Sequence, residues 1–533
     1  MKTKKRVVSL MVILMFLVSV IMTGCGSPQA KESSTSGSTS GSTSGSQKEK
    51  VLTIAYDRDA ELLDPIKTAW YSDALIYIFD RLVSRDYNYK YKPGLAESWD
   101  TSADGLVWTF HLKKGVKFHD GKVFGAEDVK WTIDTILDPK TASPSAGDFG
   151  AIKSVTVKDK DTVVLTLKYP FPNLLFILSN TAAGIAEKDA YQKYGADYGI
   201  TKVIGTGPYM LQTWVKGDKI VLVENPDYQW GPEWMSNKGP SLIDKIVMKT
   251  IPEENTRIME LQSGDVQVLN DVPTNAIEKL KQDPNLTVIE SDATKLGYLA
   301  YATDKKPFTD LKVRQAINYA INRKDIVDYV FNGYARAAYG YLPPTIEEYY
   351  KNTDTEGYHY NPEKAKQLLA DAGFKNGLTL TLSADNSTLS SKLAEVLQNQ
   401  LKQVGIETKI QLYDSSSYTA MLKAGKQELF IREYSWPNAD IINWFLDSSQ
   451  FPYPDHSRWQ DKTTDAMIKK ASTAPTWDER TAEYQKLQKY LIEQAVWAPI
   501  YIPKNVMAIS KDVVNFKNHP WKPFYNDGAD IKN

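Results

Sequence analysis

The residues best suited to binding chemistry lie in one short run, Tyr434-Ser435-Trp436-Pro437-Asn438-Ala439-Asp440. The apolar residues 429–431 before this run predict a buried strand, and ligands of open α/β sheets collect beyond the carboxyl ends of strands. Tyr434 and Trp436 offer aromatic faces, and Asp440 offers a carboxylate for a cationic group. Either aromatic alone fits a core equally well, but both together beside polar residues favour a binding site.

Other aromatic side chains are candidates for the walls of the same site. Trp70 and Tyr71 precede a predicted helix on what we expect to be an exposed loop, and Trp444 follows the run described above. The chain holds 13 Trp, 31 Tyr and 16 Phe. Some of these must form the core, but a surplus of this size also suits a pocket that holds its ligand by stacking.

The sequence lacks the motifs of common enzymes. There is no Walker-type phosphate loop, no His-Glu-x-x-His and no Gly-x-Ser-x-Gly. No two of the five histidines are spaced i, i+3 or i, i+4, and Phe118-His119-Asp120-Gly121 is typical of a turn. We therefore predict no catalytic residues, no metal and no cofactor. A hydrolase built on carboxylates that only folding brings together stays open as an alternative.

The first 50 residues have the layout of an export signal followed by a tether. Lys2, Lys4, Lys5 and Arg6 precede an apolar run, which ends at Cys25, the only cysteine of the chain. The residues before Cys25 resemble a bacterial lipobox, although Met22 departs from the usual Leu, Val or Ile. We predict a lipoprotein signal peptide over 1–25, lipidation of Cys25 and a flexible Ser/Gly/Thr tether over 26–50. An uncleaved N-terminal helix is the alternative.

Charge and length exclude several classes of protein. The chain has 533 residues, and the 60 basic and 65 acidic residues after position 25 give a net charge of −5. A basic footprint for nucleic acid is therefore absent from the sequence. No second apolar stretch approaches the roughly 20 residues that a spanning helix needs. A globular part of about 480 residues exceeds a single core, so two or three lobes are expected.

The patterning of the globular part predicts an α/β protein. Alternation predicts a strand over 51–56, and a helix follows from Ser72 with Leu75, Ile78, Phe79 and Leu82 on one face. Strands dominate 99–164, where one helix over 126–137 intervenes. Residues 378–412 predict a strand, a helix ending at Gly405 and a second strand, which together form a parallel crossover.

Four ordered blocks of sequence resemble a known family. The body of the chain is similar to the extracellular solute-binding proteins of bacterial ABC importers, in particular to family 5, which includes oligopeptide-, dipeptide- and nickel-binding members. The blocks are residues 95–129 (LAESW, DGLVWTF, VKFHDG and AEDV), 205–228 (GTGPY and NPDY), 307–320 (PFTDLKVRQAINYA) and 360–374 (YNPEKA and AGF). Most of these residues are expected to be scaffold, and Gly205, Gly207 and Pro208 suit a tight crossover.

The resemblance implies a two-lobed periplasmic-binding-protein-like fold with a hinge and an inserted subdomain. Carried onto this sequence, lobe I comprises 51–84, 201–298 and 500–533, the inserted subdomain 85–200, and lobe II 299–499. The chain is expected to cross between lobes near 296–303 and 498–502. A ligand would bind between the lobes and close them.

The family also implies a function and partners. We expect a lipid-anchored, monomeric receptor on the outer face of the cell membrane, which lies in the periplasm if the cell has an outer membrane. It would deliver a peptide or similar polar solute to an ABC permease and its ATPase subunits. Peptide-binding members have an aspartate three places after a Trp to pair with the ligand's ammonium group. Here Asp440 comes four places after Trp436, and Tyr501 lies where such members place a ligand-facing tyrosine. An oligosaccharide receptor is the alternative, and nickel is a weaker one.

Overall fold

The computed structural model describes residues 48–68, 72–519 and 525–532. The predicted signal peptide, Cys25 and most of the tether lie outside these residues, as do Trp70 and Tyr71. None of the described helices is both long and apolar enough to cross a membrane. The described part is a mixed α/β structure, as the patterning predicts.

A twelve-stranded sheet organises most of the chain. Its central strand runs from Trp497 to Ser510 and is the longest of the sheet. Along the main path the strands are ordered Ile406–Tyr413, Leu378–Asp385, Leu429–Ser435, Lys295–Tyr301, Trp497–Ser510, Val268–Leu269, Val51–Tyr56, Lys245–Thr250, Lys219–Glu224 and Tyr209–Val215. Leu286–Asp292 and Ala335–Ala337 pair with the central strand beside this path.

The central strand connects two halves of the sheet that pack on different cores. Its first residues pair with Lys295–Tyr301, and its last residues pair with Leu286–Asp292. Ala498 and Ile500 belong to the core beneath the first half, whereas Met507 and Ile509 belong to the core beneath the second. A continuous strand therefore links two separately packed bodies.

A smaller antiparallel sheet of four strands packs outside the large one. Its strands are ordered Ala96–Thr101, Val107–Leu112, Thr162–Leu167 and Ile152–Asp159. The helix Ala126–Leu137 covers it with Val129, Ile133 and Ile136, which recur at helical spacing and are buried. Two further pairs of strands are Val83–Arg85 with Tyr91–Pro93, and Val513–Val514 with Asp530–Ile531.

The predicted crossover is confirmed. Leu378–Asp385 and Ile406–Tyr413 pair in parallel, and the helix Thr388–Gln403 connects them. Ser387 caps that helix by accepting the N–H of Ser390 at 3.2 Å. Gly405 takes a φ of +90°, which a residue with a side chain rarely adopts. The strand Leu429–Ser435 then joins the same sheet.

The remaining helices lie around the sheets. The other α-helices of the described chain are Ala74–Ile78, Leu174–Ser179, Lys188–Tyr194, Glu254–Ser263, Ile277–Lys281, Leu311–Ala320, Arg323–Phe331, Thr353–Glu356, Pro362–Asp371, Ser415–Lys423, Asp440–Leu446, Lys462–Ser472 and Trp477–Glu493. Short 3₁₀ helices cover Thr181–Ala183, Gly195–Asp197 and Ser448–Gln450.

The helix predicted after Ser72 is shorter than its apolar pattern indicates. It covers only Ala74–Ile78, and Phe79 is already extended. The carbonyl of Ile78 accepts the N–H of Gly207 at 2.9 Å, so a tertiary contact takes an acceptor that a longer helix would use. Leu82 is buried in the same core but does not belong to the helix.

The glycines 205 and 207 are required by this contact. A Cβ atom built on Gly207 would lie 2.2 Å from the carbonyl oxygen of Tyr77, and one built on Gly205 would lie 2.0 Å from that of Ile78. Both neighbours are backbone atoms, which cannot rotate away. The expectation of a tight crossover at Gly205 and Gly207 is confirmed.

We predict that Gly207→Ala lowers the free energy of unfolding by about 1–3 kcal/mol, because the added methyl group overpacks a fixed backbone contact. Urea unfolding followed by circular dichroism measures this change. Gly239→Ala is the matched control, since its added Cβ would meet nothing closer than 3.6 Å. Equal stability of both variants and the wild type would contradict the account of this crossover.

Candidate functional site

A cavity of about 400 Å³ lies between two distant parts of the chain. We call it the acidic cavity. One side comes from the segment 147–177 and includes Asp148, Tyr169, Phe171, Asn173 and Phe176. The other side comes from the segment 436–473 and includes Trp436, Asp440, Asn443, Trp444 and Asp447. The described residues that line it include three carboxylates and no lysine or arginine, so the cavity favours a cationic group.

Asp440 lies in the first turn of the helix Asp440–Leu446, where the carboxylate is near the helix N-terminus. Its Oδ1 atom accepts hydrogen bonds from Arg480 Nη2 at 2.7 Å, from the Tyr484 hydroxyl at 2.9 Å and from Asn443 Nδ2 at 3.2 Å. Its Oδ2 atom accepts one from Asn173. The carboxylate is thus held by the protein on both oxygens.

Arg480 is the buried cation behind Asp440. Its side chain is 0% exposed, and its Nε atom donates to Glu348 Oε1 at 3.1 Å. Burial alone would lower the pKa of Arg480, but the carboxylates of Asp440 and Glu348 outweigh it and raise that pKa. Burial also raises the pKa of Glu348, against the lowering effect of Arg480. One guanidinium therefore compensates two carboxylates away from water.

The two sides of the cavity meet through a pair of buried asparagines. Asn438 Nδ2 donates to Asn173 Oδ1 at 2.9 Å, while Asn173 Nδ2 donates to Asp440. Trp436 Nε1 donates to Asn438 Oδ1 at 2.9 Å, which fixes the indole ring in the wall. Asn173 and Asn438 are 265 residues apart in the sequence, so these contacts join two distant segments of the chain.

Aromatic rings form the apolar walls. The rings of Trp436 and Trp444 are 5.8 Å apart between centroids and are tilted by 31° to each other. Phe176 faces Trp436 from the opposite segment at 6.3 Å. Trp444 is 48% exposed, so much of its surface is open to a ligand. Apolar walls with a few convergent polar groups are typical of small-molecule sites.

The carboxylates of the cavity influence one another. Burial, and then the negative charge of Asp440, raise the pKa of Asp148 to about 6. The same two causes raise the pKa of the Tyr169 hydroxyl. Asp447 caps the short helix Ser448–Gln450 by accepting the N–H of Ser449 at 2.8 Å. The negative field of the cavity is therefore strong enough to disfavour a further charge of the same sign.

A second cavity, of about 220 Å³, adjoins the first at Phe176. We call it the Arg85 cavity. Its lining includes Arg85, Lys90, Glu347 and Asn438. Arg85 is buried, its guanidinium lies 5.2 Å from the centre of the Phe176 ring, and burial lowers its pKa to about 10. Lys90 and Glu347 form an exposed ion pair across the cleft at 3.1 Å.

Two of the predicted site residues do not line either cavity. Tyr434 is buried in the core and donates its hydroxyl hydrogen bond to the carbonyl of Tyr341. Tyr501 is also buried, packs its ring 4.3 Å from Phe331 and donates to Glu433 Oε2 at 3.1 Å. Trp70 and Tyr71 lie outside the described residues. Trp436, Asp440 and Trp444 are brought together at the acidic cavity.

Sequence reasoning missed Asp148, Asn173 and Arg480. One signal pointed to Arg480. It lies on the apolar face of the helix Trp477–Glu493, at helical spacing from the buried residues Leu487 and Leu491. A charged residue in such a stripe needs a buried partner of opposite charge. Asp148 and Asn173 carry no comparable pattern, because their importance arises only when distant segments meet.

The described residues contain no group of three or more His, Cys, Asp or Glu placed to hold a metal ion. His119 has a structural position: its Nδ1 atom accepts the N–H of Gly205 at 3.2 Å, and burial lowers its pKa to about 4. The arrangement suits reversible binding of a polar guest.

We predict that Arg480→Gln lowers the free energy of unfolding by about 3–5 kcal/mol, since it leaves the buried Glu348 and the partly buried Asp440 without their cation. Urea unfolding at pH 7 measures the loss. Lys486→Gln, which removes an exposed ion pair from the same helix, is the control and should cost less than about 1 kcal/mol. A cost for Arg480→Gln no larger than that of the control would contradict the role assigned to Arg480.

The chain is similar to several known proteins. Residues 90–453 match the model of the bacterial extracellular solute-binding proteins, family 5 Middle. The glutathione-binding protein GsiB of Salmonella choleraesuis is 32% identical over 465 residues, which are 85% of this chain and 89% of GsiB. The periplasmic binding protein DppA of Helicobacter pylori, solved with the peptide STSA, is 30% identical with a TM-score of 0.74 over 91% of this chain and 98% of its own. The oligopeptide-binding protein AppA of Bacillus subtilis, solved with a nonapeptide, is 25% identical with a TM-score of 0.75 over 91% and 100%.

The family resemblance noted in the sequence is thereby confirmed, and so is the fold class. The family consists of non-enzymatic solute-binding proteins that work with ABC importers. The chain belongs to the bacterial extracellular solute-binding proteins of family 5.

Proposed function

We propose that this protein captures a short peptide in the cleft formed by the acidic cavity and the Arg85 cavity and delivers it to an ABC permease. The observation that carries the proposal is the division of charge along the cleft. Three carboxylates and no lysine or arginine line one cavity, whereas Arg85 and Lys90 line the adjoining one together with Glu347 and Glu348, so the cations of the cleft lie in the second cavity. A peptide with an ammonium group at one end and a carboxylate at the other matches this order. The peptide and glutathione ligands named for relatives support the same class of guest.

We further propose that closure of two lobes traps the guest. The lobes are those predicted from the family: 51–84, 201–298 and 500–533 with the inserted subdomain 85–200, against 299–499. The central strand Trp497–Ser510 is a suitable hinge, because its two ends pack on different cores. The Asn173–Asn438 contact would then form as the cleft shuts. Ligand binding shifts the population towards the closed form only by the difference in affinity between the two forms.

The location proposed for the protein is the outer face of the cell membrane, as a monomer held by lipid on Cys25. We expect mass spectrometry of the protein from its native membrane to find diacylglyceryl on an N-terminal Cys25. Replacement of Cys25 by Ala should abolish this modification. A wild-type protein that keeps residues 1–24 and carries no lipid would contradict a lipid anchor.

An oligosaccharide is the second candidate guest. The neighbouring faces of Trp436 and Trp444 favour it, because pyranose rings stack on such surfaces and Trp444 is 48% exposed. This candidate brings no cation to a cavity that is lined by three carboxylates and by no lysine or arginine, so the peptide remains the better match.

Isothermal titration calorimetry with a small panel tests the function. The panel contains the peptide Ser-Thr-Ser-Ala, glutathione and a gluco-oligosaccharide, each added to the mature protein at pH 7. We expect a peptide to bind with a Kd of about 1 μM or tighter, which corresponds to about −8 kcal/mol, and to remain chemically unchanged. Binding of the oligosaccharide alone, or hydrolysis of a bound guest, would overturn the peptide proposal.

A further inference from the structure

Asp148 lies in the acidic cavity in a different situation from Asp440. It precedes the strand Ile152–Asp159, and its backbone N–H donates to the carbonyl of Ser145 at 3.0 Å. Among the described residues no donor is hydrogen-bonded to its carboxylate, and the negative charge of Asp440 acts on it across the cavity. A partly buried carboxylate without a partner loses hydration free energy, and no contact with the protein offsets that loss.

Asp440, by contrast, has little capacity left for a ligand. Its Oδ1 atom accepts three hydrogen bonds, and its Oδ2 atom accepts one from Asn173. One of these donors is the guanidinium of Arg480, which Glu348 shares, so the negative charge of Asp440 is only partly compensated although both of its oxygens are already hydrogen-bonded. A guest that displaced Arg480 from Asp440 would leave a buried cation with less compensation.

We propose that Asp148 is the specificity-determining residue that binds the cationic group of the guest. The inference rests on the proposed function, because it assigns to the Asp148 carboxylate the recognition of a peptide's ammonium group in the same cleft. Asp148 lies in the segment 147–177, whereas Asp440 and Asp447 lie in the segment 436–473 on the opposite side of the cavity. A cation between them is attracted from both sides, so it bridges the two faces of the cleft.

With this arrangement, a positive charge on the guest favours closure of the cleft. Without a cation, Asp148 and Asp440 repel each other across the cavity, as the influence of Asp440 on Asp148 indicates. An ammonium group of the guest replaces this repulsion with two attractions. Neutral molecules of the same size leave the repulsion in place and are selected against.

The charge of Asp148 also makes recognition depend on pH. The titratable groups that line the cavity with Asp148 are Asp440 and Asp447 on the opposite side and Tyr169 on its own side, with Arg480 behind Asp440. The pKa of Asp148 is raised to about 6, so its carboxylate is ionised at pH 7 and mostly protonated at pH 5. A peptide ammonium with a pKa of about 8 stays charged over this range. The affinity for a cationic guest should therefore fall as the pH falls from 7 to 5.

The experiment compares the free peptide Ser-Thr-Ser-Ala with its N-acetylated form by calorimetry, using wild-type protein, Asp148→Asn and Glu127→Gln. Glu127 has an exposed carboxylate outside both cavities and belongs to the same predicted subdomain, 85–200. The variant Glu127→Gln therefore controls for the loss of one negative charge. We expect Asp148→Asn to weaken binding of the free peptide about 10- to 100-fold, the usual effect of losing a hydrogen bond to a charged group. The acetylated peptide should bind both proteins within about threefold.

The pH dependence gives a second readout. From pH 7 to pH 5 the affinity of the wild type for the free peptide should fall about tenfold, as expected for one carboxylate with a pKa near 6. The same affinity of Asp148→Asn should not change with pH. If Asp148→Asn keeps the wild-type preference for the free peptide and its pH dependence, the inference is overturned.

Failure of the proposed function would look different. If neither form of the peptide binds the wild type, the peptide function falls, whatever the behaviour of the variant. The ligand-free proteins then still report on Asp148 itself. Because its folded-state pKa of about 6 lies above the unfolded value of about 3.9, the wild type loses stability as the pH rises from about 4 to about 6, so Asp148→Asn should melt above the wild type at pH 7.5 and with it at about pH 3.5. A lower melting temperature of Asp148→Asn at both pH values would show that the carboxylate supports the fold and would overturn the assignment.

Discussion

The burial of Arg480 between Asp440 and Glu348 is the interaction on which the site depends. A guanidinium with no exposure to water must be compensated by carboxylates, and here two of them share it. The pairing fixes the first turn of the helix Asp440–Leu446, and this turn presents Trp444 and Asn443 to the acidic cavity. The geometry of one wall therefore follows from a salt bridge that no ligand needs to touch.

The opposite wall is positioned by different means. The small antiparallel sheet and the helix Ala126–Leu137 hold the segment 147–177 on one body of the protein. Asn173 reaches the other body through Asn438 and Asp440. Amide side chains suit such a contact, because they exchange one neutral hydrogen bond for another and separate without leaving a buried charge. The closure proposed for the cleft would benefit from contacts of this kind.

Local patterns in the sequence predicted the elements better than they predicted the site. Alternation and helical spacing identified the crossover 378–413 and the helix over 126–137, where local preference and packing agree. The helix after Ser72 ended early because the backbone of Gly207 competes for the carbonyl of Ile78. Tyr434 packs in the core because its strand alternates there between buried and open positions, whereas Tyr501 lies in a stretch of the central strand, 497–502, that is buried on both faces.

The polar contacts of the site join residues that are far apart in the sequence. Asp440 was recognisable as a candidate, but its partner Arg480 lies 40 residues further on and its partner Asn173 lies 267 residues before it. No spacing rule connects such residues, so the division between a compensated Asp440 and an unpartnered Asp148 is a property of the fold alone.

The central claim is that the protein keeps Asp440 for its own structure and offers Asp148 to the guest. A crystal structure of the protein with a bound peptide bearing a free amino terminus tests this claim most directly. The account predicts that the peptide nitrogen lies within about 3 Å of an Asp148 carboxylate oxygen while Arg480 still contacts Asp440. A peptide nitrogen bound to Asp440, with Arg480 displaced and Asp148 turned away from the cavity, would contradict it.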